Sequence, residues 1–387
     1  MERGLTGTYD LMTIEGDTVK AFVPIPLPPK PGLNLDGPLH QLLESAVHAL
    51  GRLDSITLLL PDAALFLYAY VRKEAVLSSQ IEGTQSSLSD LLLFELEDVP
   101  GVPEDDVHEV SNYVAAMEHG LERLKNGFPL SNRLIRETHG ILLSQGRGST
   151  KSPGEFRRSQ NWIGGSRPGN AHYVPPPHTV VQDCMASLER FLHAEDDGLP
   201  VLLRAGLAHV QFETIHPFLD GNGRVGRLLI TMLLCHAGIL HQPMLYLSLY
   251  FKQNRNEYYE LLNNVRLTGN WEAWLTFFLE GVKRTADGAV GTVEHLNNTF
   301  KSDRNRIEGV AGRRVSSALR VHEALKSHLL LSLAAVCKDT GLSFQAAAST
   351  MNLLVSLGIA REITGKQRNR LYVYDEYLSI LNEGTEV

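Results

Sequence analysis

Cysteine is scarce in this 387-residue chain: only Cys184, Cys235 and Cys337 occur, far apart and without a CxxC pair. Such a set excludes a disulfide framework or a cysteine zinc site and reads as the reduced thiols of a cytoplasmic protein. Long apolar runs are missing too. No stretch reaches the ~20 residues that a membrane-spanning helix needs, so no membrane partner is expected. The first 17 residues lack the basic-then-apolar order of a secretory leader. Neither sign of charge dominates: 36 Lys and Arg stand against 44 Asp and Glu, a net charge of -8. That balance argues against a surface that binds nucleic acid throughout, and leaves room for a local basic patch. Internal repeats, low-complexity tracts and a GxxxxGK[ST] phosphate loop are also absent.

What is present suffices for real cores, with 43% apolar against 21% charged residues. At about 100–200 residues per domain, the length argues for two or three domains. A proline-rich run at 24–31 cannot be helical and reads as an extended arm. Helical spacing then begins at Leu39, Leu42, Leu43 and Val47, closed by Gly51. A second helix is predicted after Pro61, through Phe66, Tyr70 and Val76 to Glu82, with Gly83 ending it. Further helices are predicted at 105–125, 131–143, 180–193, 201–214, 225–236, 254–265 and 271–282. Between them, 146–177 is rich in Gly, Ser, Pro and Arg, and reads as a β-hairpin or extended flap. The expected class is mainly α.

The last part has a separate pattern. Helices are predicted at 321–330, 333–340 (capped by Ser332) and 344–357 (capped by Ser343, ended by Gly358). Strand-like alternation follows at 359–364 and 370–374 around a turn at 365–369. Three helices and a hairpin are the outline of a winged helix-turn-helix. The expected division is an N-terminal arm and helical region (1–104), a core (105–285), a linker (286–315) and the winged helix (316–387).

The chemistry gathers in one segment, His216-Pro217-Phe218-Leu219-Asp220-Gly221-Asn222-Gly223-Arg224-Val225-Gly226-Arg227. Pro217 forces the preceding helix to end at His216. Gly221 and Gly223 permit positive φ and let backbone N–H groups approach a ligand. Those groups open a helix, a setting that binds phosphate oxygens. Arg224 and Arg227 are three residues apart, share a helix face and can clamp a polyphosphate. Asp220 offers the hard oxygen that suits Mg²⁺ shared with phosphates, and His216 is the natural general base. Taken singly, each feature is ordinary: a structural histidine, a turn, solvated arginines. Phe218 reads as a core plug. Together they fit one bound nucleotide.

This segment resembles the Fic (filamentation induced by cyclic AMP) signature, HPFx[D/E]GNGRxxR, at every specified position. The resemblance extends from about residue 105 to 282 and includes Asn254-Arg255-Asn256-Glu257-Tyr258-Tyr259. It implies a Fic-type helical core that moves AMP from ATP to a Ser, Thr or Tyr hydroxyl of a target protein, and of itself. It implies His216 as the base, and Asp220 as the Mg²⁺ ligand between the α and β phosphates. Gly221, Asn222 and Gly223, with the Asn222 side chain, would form the anion hole, and Arg224 and Arg227 would bind the outer phosphates. Val225 and Gly226 fall within the same ATP-binding run. Asn161, Trp162, Ile163 and Gly164 of the flap (154–177), where the target protein would dock, would lie near the nucleotide. Tyr258 and Tyr259 resemble residues lining the nucleoside pocket, and equally fit a core reading.

Ser78-Ser79-Gln80-Ile81-Glu82-Gly83 matches the [S/T]xxxE[G/N] pattern by which such proteins inhibit themselves. Glu82 at a helix C-terminus faces the negative dipole end and should seek a cation, for which Arg227 is the candidate. The resemblance thus implies Ser78, Glu82 and Gly83 as the inhibitory residues. A competing reading is a nucleotide-sensing regulator that binds DNA through the winged helix. Its helix at 344–357 has no Lys or Arg, although Gln345, Ser349 and Asn352 could read bases. Basic residues lie instead at Arg361, Lys366, Arg368 and Arg370, and at Arg313, Arg314 and Arg320. AMP removal, transfer of another phosphate-containing group, and a homodimer stay open.

Overall fold

The computed structural model describes residues 1–57, 63–96, 104–194, 197–328, 330–366 and 370–385. Among them the chain opens on a hairpin of β1 (Gly7–Ile14) and β2 (Asp17–Pro24) and continues through fifteen α-helices. The first five are α1 (Pro38–Thr57), α2 (Ala63–Ile81), α3 (Leu88–Leu96), α4 (Glu104–Lys125) and α5 (Asn132–Leu142). After an irregular flap come α6 (Val181–Leu192), α7 (Val201–Ile215), α8 (Asn222–His236), α9 (Leu247–Gln253), α10 (Arg255–Thr268) and α11 (Trp271–Val310). The C-terminal part holds α12 (Val315–Ser327), β3 (Leu330–Ser332), α13 (Leu333–Thr340), α14 (Phe344–Ser356), β4 (Ala360–Glu362), β5 (Leu371–Tyr374) and α15 (Asp375–Asn382). The mainly helical class holds.

Helices α7 and α8 lie at the centre. Both are buried almost all round, polar residues included, so other helices enclose them on every side. Leu203, Leu207, Val210, Phe212, Val225, Leu228 and Leu234 are all buried. α6 packs on α7, α4 and α5 reach α8, and α2 lies against α4 and α9. One contiguous core runs from Leu39 to Leu381, with a small second cluster of Ile14, Val19, Ala21 and Val174.

Three expectations need correction. The N-terminal hairpin was not expected; its turn is Glu15 (φ 51°) and Gly16 (φ 90°), the two positive values that a primed turn demands. Most of the supposed linker 286–315 is the second half of α11. Val282, Ala286, Ala289, Val293 and Leu296 recur at spacings of three and four, and this buried stripe packs α11 along α1. The flap makes an isolated antiparallel bridge, Ile163 to Tyr173, and no ladder among the described residues. Pro168 and the run Pro175-Pro176-Pro177 lack the N–H that a ladder needs. Its Val174 carbonyl accepts instead from the Phe22 N–H of β2 at 2.9 Å.

In the C-terminal part, α12 starts earlier than expected and ends at Ser327, because Leu330–Ser332 is strand β3. The sheet order is β3-β5-β4, all antiparallel. Ser332 and Ser343 do cap α13 and α14, accepting from Ala335 and Ala346 N–H. The expected wing residue Arg368 and the turn tip at 367–369 lie outside the described residues. Helix α15 returns to pack on α2, α3 and α11. There the Gln80 amide donates to the carbonyls of Ser86 (2.9 Å) and Thr385 (2.8 Å) and accepts from Lys252 Nζ (2.7 Å). Asn382 donates to Ser89 Oγ.

Candidate active site

The loop between α7 and α8 is built by its own side chains. His216 ends α7 in the left-handed region (φ 49°), since the following proline blocks a further helical turn. Asn222 then clasps the loop: Oδ1 accepts the Phe218 N–H and Nδ2 donates to the Phe218 carbonyl, both at 2.9 Å. Both ends of that amide are engaged and Asn222 is buried, so it holds the loop together and keeps one Nδ2 hydrogen beyond those bonds. Backbone N–H groups of the first turn of α8 supply further anion-binding donors at this end. Phe218 is fully buried, as a plug should be.

Arg157, from the flap, holds the end of α7. Its guanidinium donates to the carbonyls of His216 (2.9 Å) and Pro176 (2.5 Å), and its own N–H to the Pro217 carbonyl (2.9 Å). Carbonyls at a helix C-terminus suit a cation. Burial lowers Arg157 to about 10. Burial first, and Arg157 second, push His216 down to about 4. At neutral pH its imidazole is therefore unprotonated and free to accept a proton.

The two arginines of α8 face different acids. Arg227 is buried and donates through Nη2 to Glu82 Oε1 (2.8 Å) and the Ser78 carbonyl (2.9 Å), and through Nε to Ser78 Oγ (2.8 Å). Glu82 stands just beyond the end of α2, where Gly83 turns the chain at φ 100°. Burial alone would raise the Glu82 carboxyl; Arg227, with help from Arg224 and His216, holds it below the usual range. A Cβ placed on Gly223 would lie 2.2 Å from Glu82 Oε1, so the carboxylate sits directly against the first turn of α8. Arg224 pairs instead with Glu109 of α4 (2.9 Å), a residue the sequence did not single out. Both side chains are 1% exposed, and Arg147 reaches Glu109 from outside at 3.0 Å. Removing one partner of a buried pair strands the other charge. Glu109→Ala is expected to lower unfolding stability by about 3 kcal/mol in urea titration; a loss under about 1 kcal/mol would mean that water reaches Arg224.

A cavity of about 870 Å³ opens beside this loop. Glu82, Glu213, His216, Gly223 and Arg227 line it, with Ile163, His172 and Tyr173 of the flap. Helix α10 adds Arg255, Asn256, Tyr258, Tyr259, Glu260, Leu262, Asn263 and Arg266. Of the flap residues expected here, only Ile163 lines it. Asn161 donates to the Phe218 carbonyl (3.1 Å), and Trp162 packs on the cluster around Ile14 and Val174. Gly164 (φ 69°) makes room for the His172 ring. Val225 is a core residue, and Gly226 is kept small by Glu213 Oε1 and Phe212. Tyr258 is both wall and core: its hydroxyl bonds His209 Nε2 at 2.8 Å, while Tyr259 stands open to solvent. Glu213, Arg266 and Tyr173 were missed. Glu213, three residues before His216, was within reach of the helical period; burial raises it to about 7.

Asp220 lies beside the α8 terminus. One carboxylate oxygen accepts the Gly221 N–H at 2.6 Å, Arg224 Nη2 stands 3.7 Å away, and the side chain is 36% exposed. No cluster of three or more His, Cys, Asp or Glu that could hold a metal occurs among the described residues. One exposed carboxylate fits Mg²⁺ of the kind completed by phosphate and water.

Burial holds His139, His209, His216 and His322 down to about 4, 3, 4 and 4. Unfolding returns them toward ~6.5, so the unfolded chain binds more protons below that pH. Glu74 and Glu213, both raised to about 7 by burial, act in the opposite sense but are fewer. Stability is therefore expected to fall as pH drops from about 6.5 to 4.5, read as a falling urea midpoint.

Residues 40–122 match the Fic/DOC family N-terminal region, and residues 129–234 match the Fic/DOC family. The chain is 34% identical over 212 residues to "Protein adenylyltransferase Fic" of Culex quinquefasciatus, covering 54% of this chain and 39% of that protein. It is 31% identical over 190 residues to the protein of that name in Drosophila melanogaster, covering 49% and 35%. The matches thus span about two-fifths or less of these relatives' length. Among solved structures, a Fic family protein from Desulfovibrio desulfuricans has a TM-score of 0.56 at 19% identity, covering 89% of this chain and 98% of that one. A Fic domain containing signaling protein from Bacteroides thetaiotaomicron has 0.50 at 20%, covering 65% and 94%. At such identities the likeness is one of fold.

Proposed function

The chain contains a Fic/DOC family domain preceded by that family's N-terminal domain, and from this we propose that it is a protein adenylyltransferase held in check by Glu82. The observation that carries the reading is that neutral His216, Arg227 and the first turn of α8 face one cavity that Glu82 also enters. In this reading His216 takes the proton from a Ser, Thr or Tyr hydroxyl of the target. The hydroxyl oxygen attacks the α-phosphorus of ATP, the bond to the bridging oxygen breaks, and pyrophosphate leaves. N–H groups at the start of α8 hold the α-phosphate oxygens while charge moves. Arg227, once freed from Glu82, binds the outer phosphates; Arg224 acts from its pair with Glu109. Mg²⁺, bound by Asp220 and the phosphates, would neutralise the leaving group's charge. The flap carries the target segment.

The test is incubation with Mg²⁺, a cell lysate and ATP labelled at either the α or the γ phosphate. Label transferred from the α position supports the reading; label only from the γ position would make the chain a kinase. A role in DNA binding rests on the three helices and the β3-β5-β4 sheet of the C-terminal part. Much of its positive charge is engaged: Arg361 pairs with Asp375 at 2.6 Å, and Arg320 donates to the Thr340 carbonyl at 2.9 Å. Salt-dependent binding to duplex DNA in a shift assay would favour that reading. No helix among the described residues is long and apolar enough to cross a membrane.

A further inference from the structure

We propose that His139 is a positioning residue of this site, coupling the root of the flap to the loop that carries Asp220. The inference rests on the adenylyltransferase reading above. His139 lies in the last turn of α5, is fully buried, and takes no part in the chemistry just described. Its Nδ1 accepts the Gly154 N–H at 2.8 Å. The hydrogen of the neutral ring is therefore on Nε2, which donates to the Asp220 carbonyl at 3.1 Å. The ring lies flat on Phe218, with centroids 3.7 Å apart and 5° between planes. Three parts of the site thus meet on one imidazole: the flap root, the plug, and the peptide joining Asp220 to Gly221.

That peptide has two duties. Its N–H binds the Asp220 carboxylate at 2.6 Å, and it leads directly into the first turn of α8. Fixing its carbonyl fixes the plane of the peptide, and with it the direction of the carboxylate that its N–H binds. Gly140 and Gly154 pack backbone to backbone beside it, a Cβ on Gly140 lying 3.6 Å from the Gly154 Cα. This close approach brings the flap root within reach of Nδ1. A side chain that orients a metal-binding carboxylate acts on metal affinity, which distinguishes it from a residue that only fills the core.

The test uses the full chain and measures ADP affinity by calorimetry with Mg²⁺ and with EDTA, so that no turnover is needed. His139→Phe keeps the stack on Phe218 and removes both hydrogen bonds. The Mg²⁺-dependent gain in ADP affinity is expected to fall about 10- to 100-fold, toward that of Asp220→Ala, while EDTA affinity holds. His139→Gln retains one donor and one acceptor; it should recover part of the gain and serves if the Phe variant does not fold. A wild-type ratio in His139→Phe, with Asp220→Ala lowered, overturns the proposal. An unchanged ratio in Asp220→Ala as well would remove Asp220 as a metal ligand and overturn it too. AMP transfer is scored separately with α-labelled ATP, so its absence would count against the adenylyltransferase reading alone.

Discussion

Glu82→Gly is expected to raise AMP transfer, and the chain's labelling of itself, by about 10- to 100-fold. The basis is occupancy. Glu82 sits where an outer phosphate would meet Arg227, at 2.8 Å from that guanidinium and against Gly223. A nucleotide must therefore break a part-buried contact before it can use the same arginine. Losing such a pair costs up to ~3–5 kcal/mol when both charges are enclosed. Glu82 keeps 32% of its side chain exposed, so water screens part of that, and the lower range of rate gain follows. The glycine variant should also be less stable without ligand, because Arg227 loses its carboxylate partner and keeps its two bonds to Ser78. ATP should then raise its melting temperature more than it raises that of the wild type. Equal labelling by the two proteins under saturating ATP would rule out the brake.

His216→Ala, made in the Glu82→Gly background, is expected to cut transfer by ~10²–10⁴-fold, the usual worth of a general base. ATP affinity should change little, since in the proposed reaction His216 would meet the hydroxyl and not the phosphates. The pH profile gives a second check. With the ring held near pH 4 by burial and by Arg157, its base form prevails at every pH above that. The released enzyme should therefore keep its rate down to about pH 5 and lose it only beyond; a solvent-exposed histidine would begin to fail near ~6.5. Removing Glu82 takes away one influence that raises this value. An acid limb near 6.5 would point to another base.

How much of this could be read in the sequence depended on distance along the chain. The segment from His216 to Arg227 could be singled out because its groups are contiguous, and it is their combination, not any one of them, that points to a single ligand. The contact of Glu82 with Arg227 spans 145 residues, yet the short inhibitory pattern and the helix-end charge made it legible too. Glu109 was not, because its partner Arg224 lies 115 residues away and nothing local marks one acid among several on α4. Arg157 and His139 act on backbone carbonyls and N–H groups, which leave no trace in residue type. The clasp that Asn222 makes on the Phe218 backbone was not foreseen, because a side chain folding its own loop looks the same in sequence as one facing a ligand. The hairpin at 7–24 was hidden by a weak turn signal, and the second half of α11 by the glycines and polar residues around its buried stripe.

The tie between Gln80 and the C-terminal end also bears on how the protein can be dissected. Gln80 is two residues from Glu82, and one of its three bonds runs to the Thr385 carbonyl, 305 positions away. A fragment cut after α11 would lose that bond, the one from Asn382 to Ser89, and the packing of α15 on α2. Its basal rate would be that of an altered latch, and fragment kinetics would overstate the resting activity of the whole chain.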